Sequence, residues 1–200
     1  MLENISRYRV LLASKSPRRR ELLKMLDIPF DIAPSVDVDE TYPADMEAKE
    51  VPLFLSTLKA RAYASLIKSN ELIITADTVV INNGEVLGKP HSVKEAAAML
   101  RRMAGHSHTV VTGVCLTSSE RQVSFKVTTE VCFAELTDEE IDYYVHKYKP
   151  LDKAGAYGIQ EWIGAVAVAG IEGSFYNVMG LPIHQLYRQL CAFRDTESPD

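Results

Sequence analysis

The sequence predicts an α/β protein, and three observations support this class. Apolar strand-like runs alternate with segments of helical periodicity, N-cap residues mark helix starts, and turn sequences mark two hairpins. Hydrophobic residues form 46% of the 200-residue chain and charged residues 24%, so it can bury a core and is not disordered. This length fits one domain or two closely packed lobes.

The N-terminal part predicts two strand and helix pairs. Residues 8–13 form an apolar strand, and a helix follows at about residues 17–26, with Ser16 as its N-cap. Residues 29–33 predict a short second strand, and a long helix follows at about residues 52–69, with leucines and alanines recurring on one face.

The middle of the chain predicts the centre of the sheet. Residues 72–81 are the most apolar run, as expected of a buried central strand, and Asn82-Asn83-Gly84 is a hairpin turn signal. A capping box at Ser92 starts a helix that runs to about Met103. Two strands at residues 109–116 and 122–136 then predict an antiparallel hairpin.

The C-terminal part predicts a helix, a loop, a strand and a last helix. A capping box at Thr137 and Glu140 starts the first of these helices. The predicted segments are a helix at about residues 137–148, a loop at 150–160, a strand at 165–171, a last helix from 182 to about 193, and a frayed polar tail at 195–200.

Composition narrows the classes of function and the compartment. The net charge of −5 argues against non-specific nucleic-acid binding, and the absence of a long apolar segment predicts neither a signal peptide nor a membrane span. The three cysteines have no metal-ligand spacing, and Cys115 and Cys132 lie in apolar strands, so they are predicted to be buried thiols. A reducing cytoplasm is the expected location.

The predicted helix after Ser16 begins with cations where acidic residues are favoured. Arg18, Arg19 and Arg20 occupy its first turn, although the macrodipole already makes a helix N-terminus positive. An anion bound by backbone N–H groups, hydroxyls and guanidinium groups would compensate for this charge. The alternative is a solvated basic turn. We favour a phosphate site.

Two acidic features are candidates for a cation or catalytic site. Asp37, Asp39 and Glu40 form a cluster that suits Mg²⁺ together with substrate phosphates, or else a solvated loop. Asp77 interrupts the apolar central strand, where an unpaired carboxylate is costly. The alternative is an aspartate at a strand end or bulge that points to solvent.

Two further stretches suggest close approach of the backbone. Gly113 lies in the middle of a strand, as where backbones pack closely or the strand bulges. The loop at residues 150–160 contains two glycines and ends in Gln160, whose amide offers both a donor and an acceptor to a base edge. A purely structural turn is the alternative for this loop.

Together these motifs closely resemble the Maf-like nucleotide pyrophosphatases, over nearly the whole chain. The matching motifs, in order, are SKSPRR at residues 14–19, DET at 39–41, KA at 59–60, ADTV at 76–79, GKP at 88–90, VTG at 111–113, DKAGAYGIQ at 152–160 and NVMGLP at 177–182. The branch acting on dTTP and UTP is nearest, because Arg18, Thr78 and Gln160 match its signature. The branch acting on 7-methyl-GTP carries tryptophan, glutamine and glutamate there.

The resemblance implies hydrolysis of dTTP and UTP to the monophosphate and pyrophosphate, with modified pyrimidine nucleotides left open as substrates. It implies a divalent cation, Mg²⁺ or Mn²⁺, as cofactor. It also implies a single domain with a mixed sheet, like the inosine-triphosphatase enzymes, elongated and two-lobed with a central cleft. A homodimer is an expectation of the family, whereas a nucleic-acid or membrane partner is not expected.

The resemblance also assigns a role to each candidate residue. Asp77 is the proton acceptor, and Glu40 and Asp77 are the metal ligands. The remaining assignments are Glu40 and Lys89 as catalytic residues, Ser14, Arg19 and Lys59 for phosphate binding, and Arg18, Thr78 and Gln160 for substrate specificity.

Two rival functions stand beside the enzyme. The first is a non-catalytic nucleotide-binding regulator of cell division or septum formation, which has no need for Asp77 and Glu40 together with Lys89. The second is a nucleic-acid-binding protein that uses the basic turn, but one such turn on an acidic chain is a small footprint. The enzyme is the preferred interpretation.

Overall fold

A computed structural model describes residues 2–194, and the tail predicted at residues 195–200 lies outside the described residues. The strands are β1 (Arg9–Leu12), β2 (Asp31–Ile32), β3 (Glu71–Asn82), β4 (Glu85–Leu87), β5 (Ser107–Thr117), β6 (Gln122–Phe133) and β7 (Val168–Glu172). The helices are α1 (Pro17–Lys24), α2 (Val51–Tyr63), α3 (Val93–Met103), α4 (Asp138–Tyr148), α5 (Trp162–Ala167), α6 (Phe175–Met179) and α7 (Ile183–Ala192). Short 3-10 turns occur at Glu3–Ile5 and Ala154–Ala156.

The strands form one mixed sheet, which confirms the predicted mixed α/β class. Its order is β2-β1-β3-β5-β6-β7, and β4 pairs with β3 off this path. The strand β1 pairs in parallel with both β2 and β3, whereas the pairs β3–β4 and β6–β7 are antiparallel. The two strands of the predicted second hairpin, β5 and β6, are neighbours in the sheet.

The chain divides into two compact units. Among the described residues, the first unit comprises residues 2–77, 112–127 and 180–194, and the second comprises residues 78–111 and 128–179. Three strands, β3, β5 and β6, contribute residues to both units. The single domain and the central cleft expected from the resemblance stay predictions.

The core of the first unit contains the parallel strands. Leu11 of β1 and Ile73 of β3 pack with Ala33 and with Tyr63 of α2, whose hydroxyl donates to the carbonyl of Pro34. A Cβ atom on Gly113 would lie 2.3 Å from the Pro52 carbonyl oxygen. This agrees with the close approach predicted at this glycine, because only a residue without a side chain lets β5 and α2 pack so tightly.

The second unit has its own apolar core, built from β-strands and from α3, α4 and α5. An aromatic group at its centre consists of His108, Phe133 and Tyr157, with edge-to-face rings. The hairpin predicted at residues 82–84 joins β3 and β4, and Asn83 and Gly84 have φ values of 50° and 82°. These are the positive φ angles that a tight hairpin turn requires.

The bounds of several predicted segments differ from the structure, most clearly for one helix and one strand. The helix predicted at residues 52–69 is α2 and ends at Tyr63, where a turn follows. Leu66, one of the leucines counted on the apolar face of the predicted helix, lies beyond this end and is 59% exposed. The strand predicted at residues 165–171 is present as β7 but begins only at Val168, because residues up to Ala167 belong to the helix α5. The apolar run from Ile163 fits a short buried helix as well as a strand, and periodicity cannot separate them.

The cysteine prediction is half correct. Cys115 is buried as predicted, but Cys132 is exposed because side chains alternate along β6 and its neighbours Val131 and Phe133 take the buried face. None of the cysteines forms a disulfide bond. Within residues 2–194, no helix is long and apolar enough to cross a membrane.

Candidate functional site

The start of α1 has the geometry that the sequence predicts. The Ser16 hydroxyl accepts the Arg19 backbone N–H at 3.4 Å, Pro17 is the first helical residue, and the first turn contains no acidic side chain. The Ser14 hydroxyl accepts the Ser16 backbone N–H at 3.2 Å. Two hydroxyl groups and the N-terminus of a helix therefore lie together, as an anion site requires.

Arg19 has a structural role in addition to its charge, because its guanidinium group binds two backbone carbonyls. Its Nε donates to the carbonyl of Gly180 at 2.7 Å, and its Nη1 donates to the carbonyl of Ala76 at 2.8 Å. Nη1 also contacts the Ser14 hydroxyl at 3.5 Å. The guanidinium group thus connects the start of α1 to the residue before Asp77, a structural role that sequence patterns do not show.

Lys59 joins the two predicted acidic residues. Its ammonium group donates to Asp77 Oδ1 at 2.6 Å and lies 2.8 Å from Glu40 Oε2. The side chains of Lys59 and Asp77 are only 17% and 13% exposed. Asp77 therefore does not point to solvent from a strand end: it is in the middle of β3, largely buried and paired.

Charges of both signs act on the guanidinium group of Arg19. Burial lowers the pKa of the Arg19 guanidinium, the nearby Asp77 raises it, Arg18 lowers it and Glu40 raises it. The guanidinium stays protonated because the ordinary pKa of arginine is so high. The cations of α1 and α2 and the carboxylates of β3 and the acidic loop thus act on one another within the first unit.

The other three predicted residues belong to the second unit. Thr78 follows Asp77 in β3 and is partly buried, so the two side chains leave opposite faces of the strand. Lys89 and Gln160 are exposed. The Gly155 N–H donates to the Gly88 carbonyl at 3.1 Å, which links the segments that carry them.

Three residues around Gln160 were not predicted as part of a site. Lys153 is buried, and its ammonium group lies 2.8 Å from Asp152 Oδ1 and 3.1 Å from Glu161 Oε1. The Tyr144 hydroxyl donates to Glu161 and accepts the Gly158 N–H at 3.1 Å. Two signals in the sequence point to Lys153: it belongs to the DKAGAYGIQ motif, and a small, apolar stretch follows it, where a cation requires a partner.

The acidic residues fit a metal ion that is also bound by water and by a phosphate ligand. They do not fit a metal ion that is bound by protein side chains alone. Among residues 2–194, no group of three or more acidic, histidine or cysteine side chains is arranged to hold a metal ion. Glu40 and Asp77 both contact the ammonium group of Lys59, so their oxygen atoms converge on one point. One or two carboxylates completed by water and phosphate are what Mg²⁺ uses in phosphate-handling enzymes.

The fold of this chain is similar to that of an α/β protein of known structure. It is similar to the solved structure of a HAM1 protein from Coxiella burnetii, with a TM-score of 0.50 and 16% sequence identity, covering 93% of this chain and 100% of that one. At this identity the similarity shows a common fold. The predicted inosine-triphosphatase-like α/β architecture is thereby confirmed at the level of the fold.

The sequence then identifies the family: the chain belongs to the Maf-like proteins, whose family model matches residues 9–193. It is 54% identical over 190 residues to a dTTP/UTP pyrophosphatase of Phocaeicola vulgatus, covering 95% of this chain and 98% of the relative. It is 52% identical over 193 residues to a dTTP/UTP pyrophosphatase of Parabacteroides distasonis, covering 96% and 100%. The family predicted from the motifs is confirmed.

Proposed function

We propose that this chain is a nucleoside triphosphate pyrophosphatase that hydrolyses dTTP and UTP to the monophosphate and pyrophosphate. Its relatives at 54% and 52% identity carry that name. The observation in the structure that carries the proposal is the Asp77–Lys59–Glu40 cluster beside the start of α1. This arrangement places a buried, paired carboxylate next to a helix N-terminus that is suited to bind an anion. A carboxylate in that place is suited to assist the attack of water on a bound phosphate.

Charge neutralisation is the main demand of this reaction. Phosphoryl transfer needs positioning and electrostatic stabilisation more than covalent help. We assign phosphate contacts to Ser14, Arg19 and Lys59, and a further catalytic cation to Lys89. Because Lys59 already balances two carboxylates, a bound triphosphate shares this ammonium group with Asp77 and Glu40.

Asp77 is the proposed proton acceptor. Water attacks the α-phosphorus, pyrophosphate leaves, and the water proton passes to the Asp77 carboxylate. Its Oδ1 accepts from Lys59 at 2.6 Å. This ion pair holds one oxygen of the carboxylate in place, and we assign the proton transfer to the other oxygen, Oδ2.

The proposal includes a divalent cation, Mg²⁺ or Mn²⁺, held by Glu40 and Asp77. When bound, such a cation supplies charge neutralisation to the phosphates and makes a water molecule more acidic. Lys59, for its part, keeps the two carboxylates from repelling each other before the cation binds.

Base selection is assigned to Arg18, Thr78 and Gln160. A pyrimidine presents carbonyl oxygens and, in thymine and uracil, an N3–H donor. The Gln160 amide can donate to a carbonyl and accept from N3–H, while a hydroxyl group such as that of Thr78 can do either. Gln160 is exposed, as a group that meets a ligand should be.

The first experiment is a pyrophosphate-release assay on a panel of nucleoside triphosphates, with Mg²⁺, Mn²⁺ or EDTA. We expect release from dTTP and UTP, and its loss in EDTA. Release from 7-methyl-GTP instead would keep the chemistry and contradict the assigned base selection. No release from any nucleotide would contradict the enzyme and favour the non-catalytic nucleotide-binding regulator.

A further inference from the structure

The side chains behind Gln160 form a connected buried network. Lys153 lies between Asp152 and Glu161, at 2.8 Å and 3.1 Å, and its side chain is only 9% exposed. Glu161 also accepts the hydroxyl of Tyr144, a fully buried residue of α4, and that hydroxyl accepts the Gly158 N–H. The segment from 153 to 161 is therefore fixed near its start, in its middle and at its end.

Burying the charged groups of this network costs folding free energy, so its presence calls for an explanation. A lysine this far from water is tolerated only when it is paired, and an apolar side chain of the same volume often stabilises a fold as well or better. The sequence nevertheless keeps a cation, a carboxylate and a phenol where apolar residues could pack. Such polar networks fix one conformation of the backbone when every member has its partner.

The network lies close to the side-chain amide of Gln160, and Gly158 is the residue next to both. A Cβ atom on Gly158 would lie 3.1 Å from Glu161 Cδ, 3.1 Å from Lys153 Cε and 3.2 Å from Gln160 Nε2. The Gln160 amide and the Lys153–Glu161 ion pair therefore both lie next to the Cα atom of Gly158. An exposed glutamine by itself samples several rotamers, so its direction here depends on the segment that holds it.

We propose that Tyr144, Lys153 and Glu161 are positioning residues that hold the Gln160 amide and thereby set selectivity for the base without touching the substrate. This inference rests on the proposed function for the base-reading role of Gln160. It requires that loss of the network change which nucleotide is chosen, while the reaction at the α-phosphate continues.

The test uses Tyr144→Phe, which removes the hydroxyl at the centre of the network. Phenylalanine keeps the ring that stacks on Tyr148, with centroids 5.1 Å apart, so we expect the variant to fold. The matched control is Tyr148→Phe on the same helix. Lys153→Met is a second variant, because it keeps an unbranched side chain of similar size and removes the ammonium group that contacts Asp152 and Glu161.

One arm of the test needs no activity. The side-chain amide signals of Gln160 are assigned by NMR from their loss in Gln160→Ala. We expect Tyr144→Phe and Lys153→Met to shift these signals and Tyr148→Phe to leave them in place. Unchanged signals in both network variants would overturn the positioning role.

The second arm measures kcat/KM for UTP against GTP. We expect Tyr144→Phe to lower the UTP-to-GTP ratio about fivefold, mainly through KM for UTP, and to change nothing further in the Gln160→Ala background. An equal loss for both nucleotides, or an effect that adds fully to that of Gln160→Ala, would overturn the inference. If the wild-type protein hydrolyses neither nucleotide, the proposed function fails, and the amide signals alone decide whether the network positions Gln160.

Discussion

At the scale of single residues, Asp77 is the position on which the proposed chemistry depends. Its carboxylate accepts from Lys59 at 2.6 Å and is largely buried. We predict that Asp77→Asn lowers kcat for dTTP by about 10²- to 10⁴-fold, because an amide cannot take the proton of the attacking water. The measurement is steady-state pyrophosphate release, with thermal unfolding to verify the fold.

Asp31→Asn is the matched control, because Asp31 also accepts from a cation, Arg9 at 2.7 Å, but on an exposed part of the surface. We expect this variant to keep wild-type kcat. An Asp77→Asn enzyme that still turns over would contradict the proton-acceptor role, and equal losses in both variants would point to a general effect of charge.

The second prediction at this scale concerns the two backbone hydrogen bonds of the Arg19 guanidinium group. Its Nε donates to the carbonyl of Gly180 and its Nη1 donates to the carbonyl of Ala76, and a lysine ammonium group cannot make both bonds in this geometry. We predict that Arg19→Lys lowers the free energy of unfolding by about 1–3 kcal/mol, because a carbonyl loses its partner. It should also lower kcat, since Ala76 precedes Asp77.

Urea unfolding and pyrophosphate release test this variant together, and Arg20→Lys is the control. Arg20 is the exposed neighbour in the same turn, with a long contact of 3.4 Å to the Lys15 carbonyl. If Arg19→Lys lost activity with unchanged stability, Arg19 would act through phosphate contacts alone.

At the scale of elements, the packing of α2 against β5 depends on Gly113. A Cβ atom there would lie 2.3 Å from the Pro52 carbonyl oxygen and 2.4 Å from the Leu53 nitrogen. We predict that Gly113→Ala destabilises the protein by about 1–3 kcal/mol through overpacking. Because α2 carries Lys59, activity should fall as well. Urea unfolding and pyrophosphate release are the measurements.

The matched control for this element is Gly170→Ala in β7, where the nearest atom to an added Cβ is 3.9 Å away. It should change the free energy of unfolding by less than about 0.5 kcal/mol. Equal stability of the two alanine variants would mean that α2 can shift without cost.

At the scale of the whole molecule, stability should fall in mild acid because of one buried histidine. His108 is 2% exposed, its Nε2 lies 2.7 Å from the Tyr157 hydroxyl, and burial lowers its pKa to about 4. The unfolded chain, with an ordinary pKa near 6.5, binds the proton first. Stability is therefore full above about pH 6.5 and is lost progressively down to about pH 4, by roughly 3 kcal/mol.

Urea unfolding at pH 7 and pH 5 measures this loss, and His108→Gln should reduce the difference between the two values. The control is His106→Gln at an exposed histidine of the same region, which should keep the wild-type difference. An undiminished difference in His108→Gln would show that other groups cause the acid loss.

The sequence by itself determined the family, the mixed α/β class and the strongest local features. Capping at Ser16, Ser92 and Thr137 and the hairpin turn at Asn83 depend on neighbouring residues, so local chemistry predicts them. The candidate list of site residues also came from motifs, and each assigned role stays a prediction until the variants are measured.

Only the tertiary structure decided which of those side chains meet. Lys59 is 18 positions from Asp77 and 19 from Glu40, and no local pattern can show that one ammonium group joins both. The end of α2 at Tyr63 and the helix α5 likewise depend on what packs against them. The physical reason is that capping and turns are satisfied within a few residues, whereas a buried charge needs a partner that only the folded chain supplies.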